Sequence, residues 1–268
     1  MGYVLEGFSI PEMLRCGREL REATLGATRM ENAAEAIVRH FYEQLESVRD
    51  GKRACVLVRF YKTHLYERLE PELQLFADRL LADRPHESLR CLTLLASVGV
   101  EPDWCDRRRS RGHQVIPLAS AEMVEQAPMI SQLIRGLGLD VREVVKPGVP
   151  IMHTQKGKSF SVLHVEEALG SRFIPAQTEF VVPYGVRSVV GFGGELRSGE
   201  LFTVIIFSRV PISADVAERF RHIALDAKYA LFRMDEDRVF AERSPLPRRS
   251  ARLDAPASSV TDLPAAPA

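Results

Sequence analysis

The chain has 268 residues, 46% of them hydrophobic and 27% charged, with 36 basic and 36 acidic side chains that leave a formal net charge of zero. That length holds one large domain or two small ones with a true apolar core. The charge balance excludes a global basic field that would draw the protein onto nucleic acid or anionic lipid, so such contact would need a local patch. Four cysteines, Cys16, Cys55, Cys91 and Cys105, lie far apart without CxxC pairing. A disulfide framework is not expected from them. MGYVLEGFSIPEM lacks the basic region and apolar run of a secretory signal. No apolar stretch approaches the ~18 residues of a membrane span, and the expected location is the cytoplasm.

Two helices are expected first. Pro11 suits a first helical turn, and Met13, Leu14 and Leu20 carry the segment to about Leu25, before Gly26. Ala33, Ile37, Phe41 and Leu45 recur every fourth residue and predict an amphipathic helix ending near Asp50-Gly51. These helices either cap a sheet or form a dimerisation bundle.

ACVLVRFYKTH (54–64) reads as a strand, and Cys55 within it as a small core hydrophobe. A short helix starts near Pro71, with Leu69, Leu73, Phe76 and Leu80 as its apolar positions. SLRCLTLLASVGV (88–100) reads as the next strand, with Cys91 inside it. The stretch PDWCDRRRSRGHQVIPL (102–118) reads as a loop. Ser120 is a helix N-cap, and Pro128 kinks or restarts that helix before Gly136 and Gly138 end it. VREVV (141–145) and SFSVLHV (159–165) are expected strands joined by a Gly/Pro/Lys linker. Residues 168 to 184 read as irregular.

VRSVVGFGGEL (186–196) and ELFTVIIFS (200–208) form a hairpin turning at Arg197-Ser198-Gly199. A last helix follows Ser213 as N-cap and runs to Leu231. Residues 244–268 are rich in Pro, Ala and Ser and too poor in large apolar groups to offset the entropy of ordering, so a disordered tail is expected. Gly191, Gly193 and Gly194 do not make a dinucleotide fingerprint, because a strand rather than a helix follows them.

Antiparallel strands bracketed by helices make an α+β single-sheet domain. The hairpin with its closing helix resembles the end of a GAF-type sensor domain. The blocks CLTLLASVGVEPDWCDRRRSRGHQVIPL, PAQTEFVVPYGVRSVVGFGGEL and SGELFTVIIFSRVPI resemble bacterial GAF-like domains usually found N-terminal to PAS, histidine kinase or cyclase modules. The resemblance implies one antiparallel sheet of about six strands flanked by helices, with a ligand cavity on one face and a helical dimer interface on the other. It divides the chain into an N-terminal helical segment (1–27), a GAF-like sensor domain (28–233) and a polar, Pro-rich tail (234–268). No kinase, cyclase or PAS pattern follows Leu231, so the signal is expected to pass on either by dimerisation or through a separate partner such as a kinase, cyclase or other output protein.

Within 102–118, Trp104, Arg107, Arg108, Arg109 and His113 are the candidate ligand-binding residues, because an Arg fork with a neighbouring His suits a small anion. The alternative is that the Arg residues pair with Glu101, Asp103 and Asp106 while Trp104 plugs the core. A nucleic-acid patch is disfavoured by the two Asp within the cluster. A metal site is disfavoured by the irregular spacing of Cys91, Cys105 and His113. Gln177, Tyr184 and Arg187 precede the hairpin, where a GAF-type cavity would be lined, and complete the candidate set. No cofactor is identified.

The leading expectation is a non-catalytic sensory or regulatory domain, a homodimer binding a small molecule. One alternative is a thiol-dependent reductase of the free methionine sulfoxide type, with Cys91 and Cys105 as nucleophile and resolving thiol. Another is a purely structural dimerisation module.

Overall fold

A computed structural model describes residues 2–81, 86–110, 112–146, 160–234 and 238–241. The linker read between the 141–145 and 159–165 segments falls mostly outside these residues, as does nearly all of the tail.

The chain begins with a two-residue strand β1 (Tyr3–Val4) and helix α1 (Ile10–Ala23). Ser9 and Glu12 start α1 as a capping box: the Ser9 hydroxyl accepts from the Glu12 amide, and the Glu12 carboxylate accepts from the Ser9 amide at 2.7 Å. Helix α2 (Met30–Gln44) follows, then β2 (Leu45–Glu46), which pairs in parallel with β1. The main sheet is built from β3 (Cys55–Leu65), β4 (Arg90–Gly99), β5 (Val115–Pro117), β6 (Phe160–Val165), β7 (Ser188–Glu195) and β8 (Leu201–Ser208). The other helices are α3 (Pro71–Asp78), α4 (Ala121–Glu125), α5 (Pro128–Gly136), α6 (Val141–Val144), α7 (Val182–Tyr184) and α8 (Ala214–Leu231).

The sheet order is β5-β4-β3-β8-β7-β6, and every pairing is antiparallel. Two three-stranded meanders therefore meet where the long central strands β3 and β8 pair. One face is covered by α1, α2 and α8, whose Leu20, Ile37, Phe41, Phe220 and Ile223 pack on Phe60, Phe192 and Ile206. Phe8, Phe41, Phe192 and Phe220 form a chain of ring contacts 5.4 to 6.3 Å apart. Each buried ring contributes roughly 1.5–3 kcal/mol through removal of apolar surface from water. The other face carries α4, α5, α6 and the 173–186 segment, packed on Leu57, Tyr61, Leu94, Ile205 and Phe207. This is the α+β architecture expected from the sequence, one antiparallel sheet of six strands flanked by helices.

Strand periodicity decides which side chain meets which layer. On β3, Val58 and Phe60 join the helical face, whereas Leu57 and Tyr61 join the other. Between Phe60 and Tyr61 the register shifts: Phe60 pairs with Ala96 and Tyr61 with Leu94, leaving Leu95 unpaired as a bulge. Leu95 and Ala96 consequently both enter the helical core. Gly193 is a point of close approach, since a Cβ there would lie 2.1 Å from the Phe202 carbonyl oxygen. Its role is thus sheet packing rather than phosphate binding.

Several boundaries differ from expectation for local reasons. VREVV is not a strand: Val141–Val144 is a helical turn capped by Asp140, whose side chain accepts from the Arg142 amide at 2.9 Å. The cap and the burial of Val141 and Val144 on one side outweigh the β-branched preference. Helix α2 stops at Gln44 rather than near Asp50-Gly51, because Leu45 leaves the helix to pair with Tyr3. The end of the 102–118 loop is an edge strand, with Ile116 opposite Leu92. Within 168–184, Gln177–Val181 winds as a wide helical turn leading into α7. Pro128 restarts the helix as the first turn of α5.

Candidate ligand-binding site

A cavity of about 120 Å³ lies over the β3–β8 centre of the sheet, on the face away from α1, α2 and α8. Its floor is Ile205 and Phe207 on β8 with Arg59 and Tyr61 on β3. Its walls are Ile116, the start of α5 at Pro128–Ile130, and the 173–176 segment with Phe180. Gln126 and Ala127, between α4 and α5, complete the rim. The break at Pro128 that divides the helix therefore also shapes the cavity wall.

Two polar groups dominate this apolar space. Arg59 is 4% exposed, yet no carboxylate among the described residues pairs with it. Its terminal nitrogens donate to the Tyr61 hydroxyl and to Ser110 Oγ, both at a long 3.4 Å, and its buried Nε has no partner. Its cross-strand neighbour Ser97 also holds a buried, unpartnered hydroxyl. His113 lines the cavity with its Nδ1 buried and unpartnered. Burial, and secondarily the Arg59 charge, push the His113 pKa down to about 3, so the ring is neutral at physiological pH.

Of the residues singled out in the sequence, His113 is the one that lines this cavity. Trp104 is 1% exposed and sits behind the wall, with ring centroids 5.5 Å from Phe180 and 4.7 Å from Tyr184. It closes the end of β4, where a Cβ on Gly99 would meet Trp104 Cε3 at 2.7 Å. Arg107 turns to the opposite side and pairs with Glu31 at 2.6 Å and Glu70 at 3.0 Å. Arg108 pairs with Asp106 at 3.2 Å and Arg109 with Asp103 at 3.0 Å on the surface. Gln177 braces its own loop, accepting from the Gly170 amide and donating to the Ala168 and Ile174 carbonyls. Arg187 is exposed, and its backbone ties β7 to Ser208 and Ala168. Sequence reasoning missed Arg59. The signal was a lone cation inside the otherwise apolar run CVLVRFY.

The thiols are separated. Cys91 is buried at the start of β4, and burial pushes its pKa up to about 12. Cys105 is exposed beyond the other end of that strand, its Sγ 3.4 Å from the Gly99 carbonyl oxygen. Eight residues of extended strand hold the two roughly 26 Å apart. Among the described residues no cluster of three His, Cys, Asp or Glu side chains could hold a metal ion. No helix among them is long and apolar enough to cross a membrane.

No family model and no curated protein matches the chain. Among solved structures it is similar to the phycoerythrobilin-bound GAF domain from a cyanobacterial phytochrome, at 12% identity over 82% of this chain and 94% of that one, TM-score 0.42. It is also similar to the GAF domain from an Acinetobacter phosphoenolpyruvate-protein phosphotransferase, at 11% identity over 83% and 93%, TM-score 0.41. A third is an N-acylhomoserine lactone dependent LuxR family transcription factor from Burkholderia cenocepacia, at 13% identity over 82% and 93%, TM-score 0.36.

Proposed function

We propose that the protein is a non-catalytic sensory or regulatory domain that binds a small molecule in the cavity above β3 and β8 and signals through protein contacts. The observation that carries this reading is the cavity itself: apolar walls with a few convergent polar groups are the usual form of a small-molecule site. A purely structural module would fill that space with side chains. The separation of Cys91 from Cys105 counts against a two-thiol reductase.

The signal has a physical route. Ser110 touches Arg59, and three residues earlier Arg107 is anchored to Glu31, whose carboxylate also accepts from the Ala241 amide at 2.9 Å. Cavity occupancy would thus bias the loop that holds the 238–241 segment. On the outer helical face, Ile10, Leu14, Leu225, Tyr229 and Phe232 are exposed and apolar. We assign them to a homodimer contact, with a separate kinase, cyclase or other output protein as the receiver.

The reading is tested by thermal denaturation with a fragment set of charged and neutral small molecules, on the wild type and on Ala127→Leu, which narrows the cavity rim. Expected is stabilisation of the wild type by some fragment, weakened in the variant. Stabilisation by no fragment, or by the same fragments to the same extent in the variant, would overturn it.

A further inference from the structure

We infer that the cavity's ligand is a small monocarboxylate with a compact apolar body, its carboxylate received by Arg59. The inference rests on the small-molecule reading above and gives that site its chemistry.

A guanidinium cannot shed its charge at any ordinary pH, so a buried one needs an anion. Arg59 has no anionic partner among the described residues, two long hydrogen bonds to neutral hydroxyls, and a buried Nε with none. Removing both charges of a buried pair is often harmless, whereas leaving one alone destabilises the fold. A cation left alone beside an open cavity is therefore best understood as half of a pair. The Arg fork matches a carboxylate's two oxygens. The neutral His113 adds a hydrogen-bonding group without a second positive charge, which suits a monoanion better than a phosphate dianion.

The remaining walls set the body of the ligand. Ile116, Met129, Phe173, Ile205 and Phe207 offer nothing to a polar chain. A cavity of about 120 Å³ is close to the size that accepts a single aromatic ring. The fit is to a branched aliphatic or aromatic acid, not an amino acid, whose ammonium group would meet Arg59's like charge.

The test is calorimetric titration and thermal denaturation with benzoate and isovalerate, against the neutral benzamide and against inorganic phosphate. Benzoate or isovalerate should bind, and benzamide and phosphate should bind about 10- to 100-fold more weakly or not at all. Arg59→Met should lose that preference while raising the melting temperature of the ligand-free protein, because an unpaired buried charge is gone. Arg59→Lys keeps the charge and should bind benzoate more weakly than wild type. Equal binding of benzamide and benzoate overturns the carboxylate and leaves the small-molecule reading standing. Phosphate binding as tight as benzoate overturns the apolar body. A lower ligand-free melting temperature for Arg59→Met would make Arg59 a structural residue and overturn the inference. Binding by neither acids nor amide overturns the monocarboxylate inference and leaves the small-molecule reading to the fragment set.

Discussion

Arg107 and Glu31 form a buried ion pair, Nε to Oε1 at 2.6 Å, across 76 residues of sequence. The pair fastens the loop after β4 to the first turn of α2. The same Glu31 carboxylate accepts from the Ala241 amide, and the Arg107 guanidinium lies 5.5 Å from the Phe240 ring centroid. Phe240 in turn stacks on His64 at 5.2 Å. Three distant parts of the chain therefore share one charged junction, on the other side of the loop from the cavity.

Breaking that junction from one side should be expensive. Glu31→Gln leaves Arg107 with Glu70 alone and is expected to lower unfolding free energy by about 2–4 kcal/mol, measured by urea denaturation. The double substitution Glu31→Gln with Arg107→Met should recover part of the loss. Additive losses would show that the two side chains do not act as a pair.

Acid should weaken the fold through His113. Its folded pKa of about 3 lies below the ordinary value near 6.5, so the unfolded chain binds a proton that the folded chain refuses. The contribution is fully present above about pH 6.5 and is lost as pH falls toward 3, at up to about 1.4 kcal/mol per unit. His64 adds in the same direction, because burial, then the Lys62 and Arg107 charges, hold it well below its ordinary value. Stability of wild type and His113→Asn between pH 7 and 5 checks this, with a shallower slope expected for the variant.

Native thiol reactivity should be confined to Cys105. Cys16, Cys55 and Cys91 are buried and their thiols are pushed up by burial. Titration with a chromogenic disulfide should show one fast thiol in the folded protein and four after unfolding. Fast labelling of Cys91 would revive the reductase alternative.

Adding a methyl group at position 99 should disturb the Trp104 plug. Gly99→Ala places its Cβ against Trp104 Cε3 and 3.0 Å from the Val56 carbonyl oxygen. Overpacking of this kind costs about 1–3 kcal/mol. Trp104 is the chain's only tryptophan, so its emission reports the change directly.

The exposed apolar face of α1 and α8 gives a separate prediction. Leu14 is 65% exposed and Tyr229 60%. Substitution of both by Glu should halve the solution mass measured by light scattering without lowering stability. An unchanged mass would remove these helices from the dimer contact.

How much of this the sequence carried depends on the range of the interactions involved. Ser213 and Ser120 as N-caps, the hairpin at 197–199 and the core placement of Cys55 and Cys91 are local chemistry and were legible. The helical turn at 141–144 was not, because VREVV has strand-like residues and its cap, Asp140, was overlooked. The partners of Arg107 lie 37 and 76 residues away, and no local pattern links them. The Arg-rich loop drew attention to itself as a site, yet its charges are mostly satisfied by neighbours. Arg59 carries the unpaired charge of the cavity and stood unnoticed inside a run whose apolar character suggested only core.

The most direct measurement of the sensor account is amide hydrogen exchange with and without saturating benzoate. Slower exchange is predicted in the cavity walls, 126–130 and 173–180, together with a change at 238–241 beyond the Arg107–Glu31 junction. Slower exchange in the cavity walls with no change at 238–241 would contradict the account.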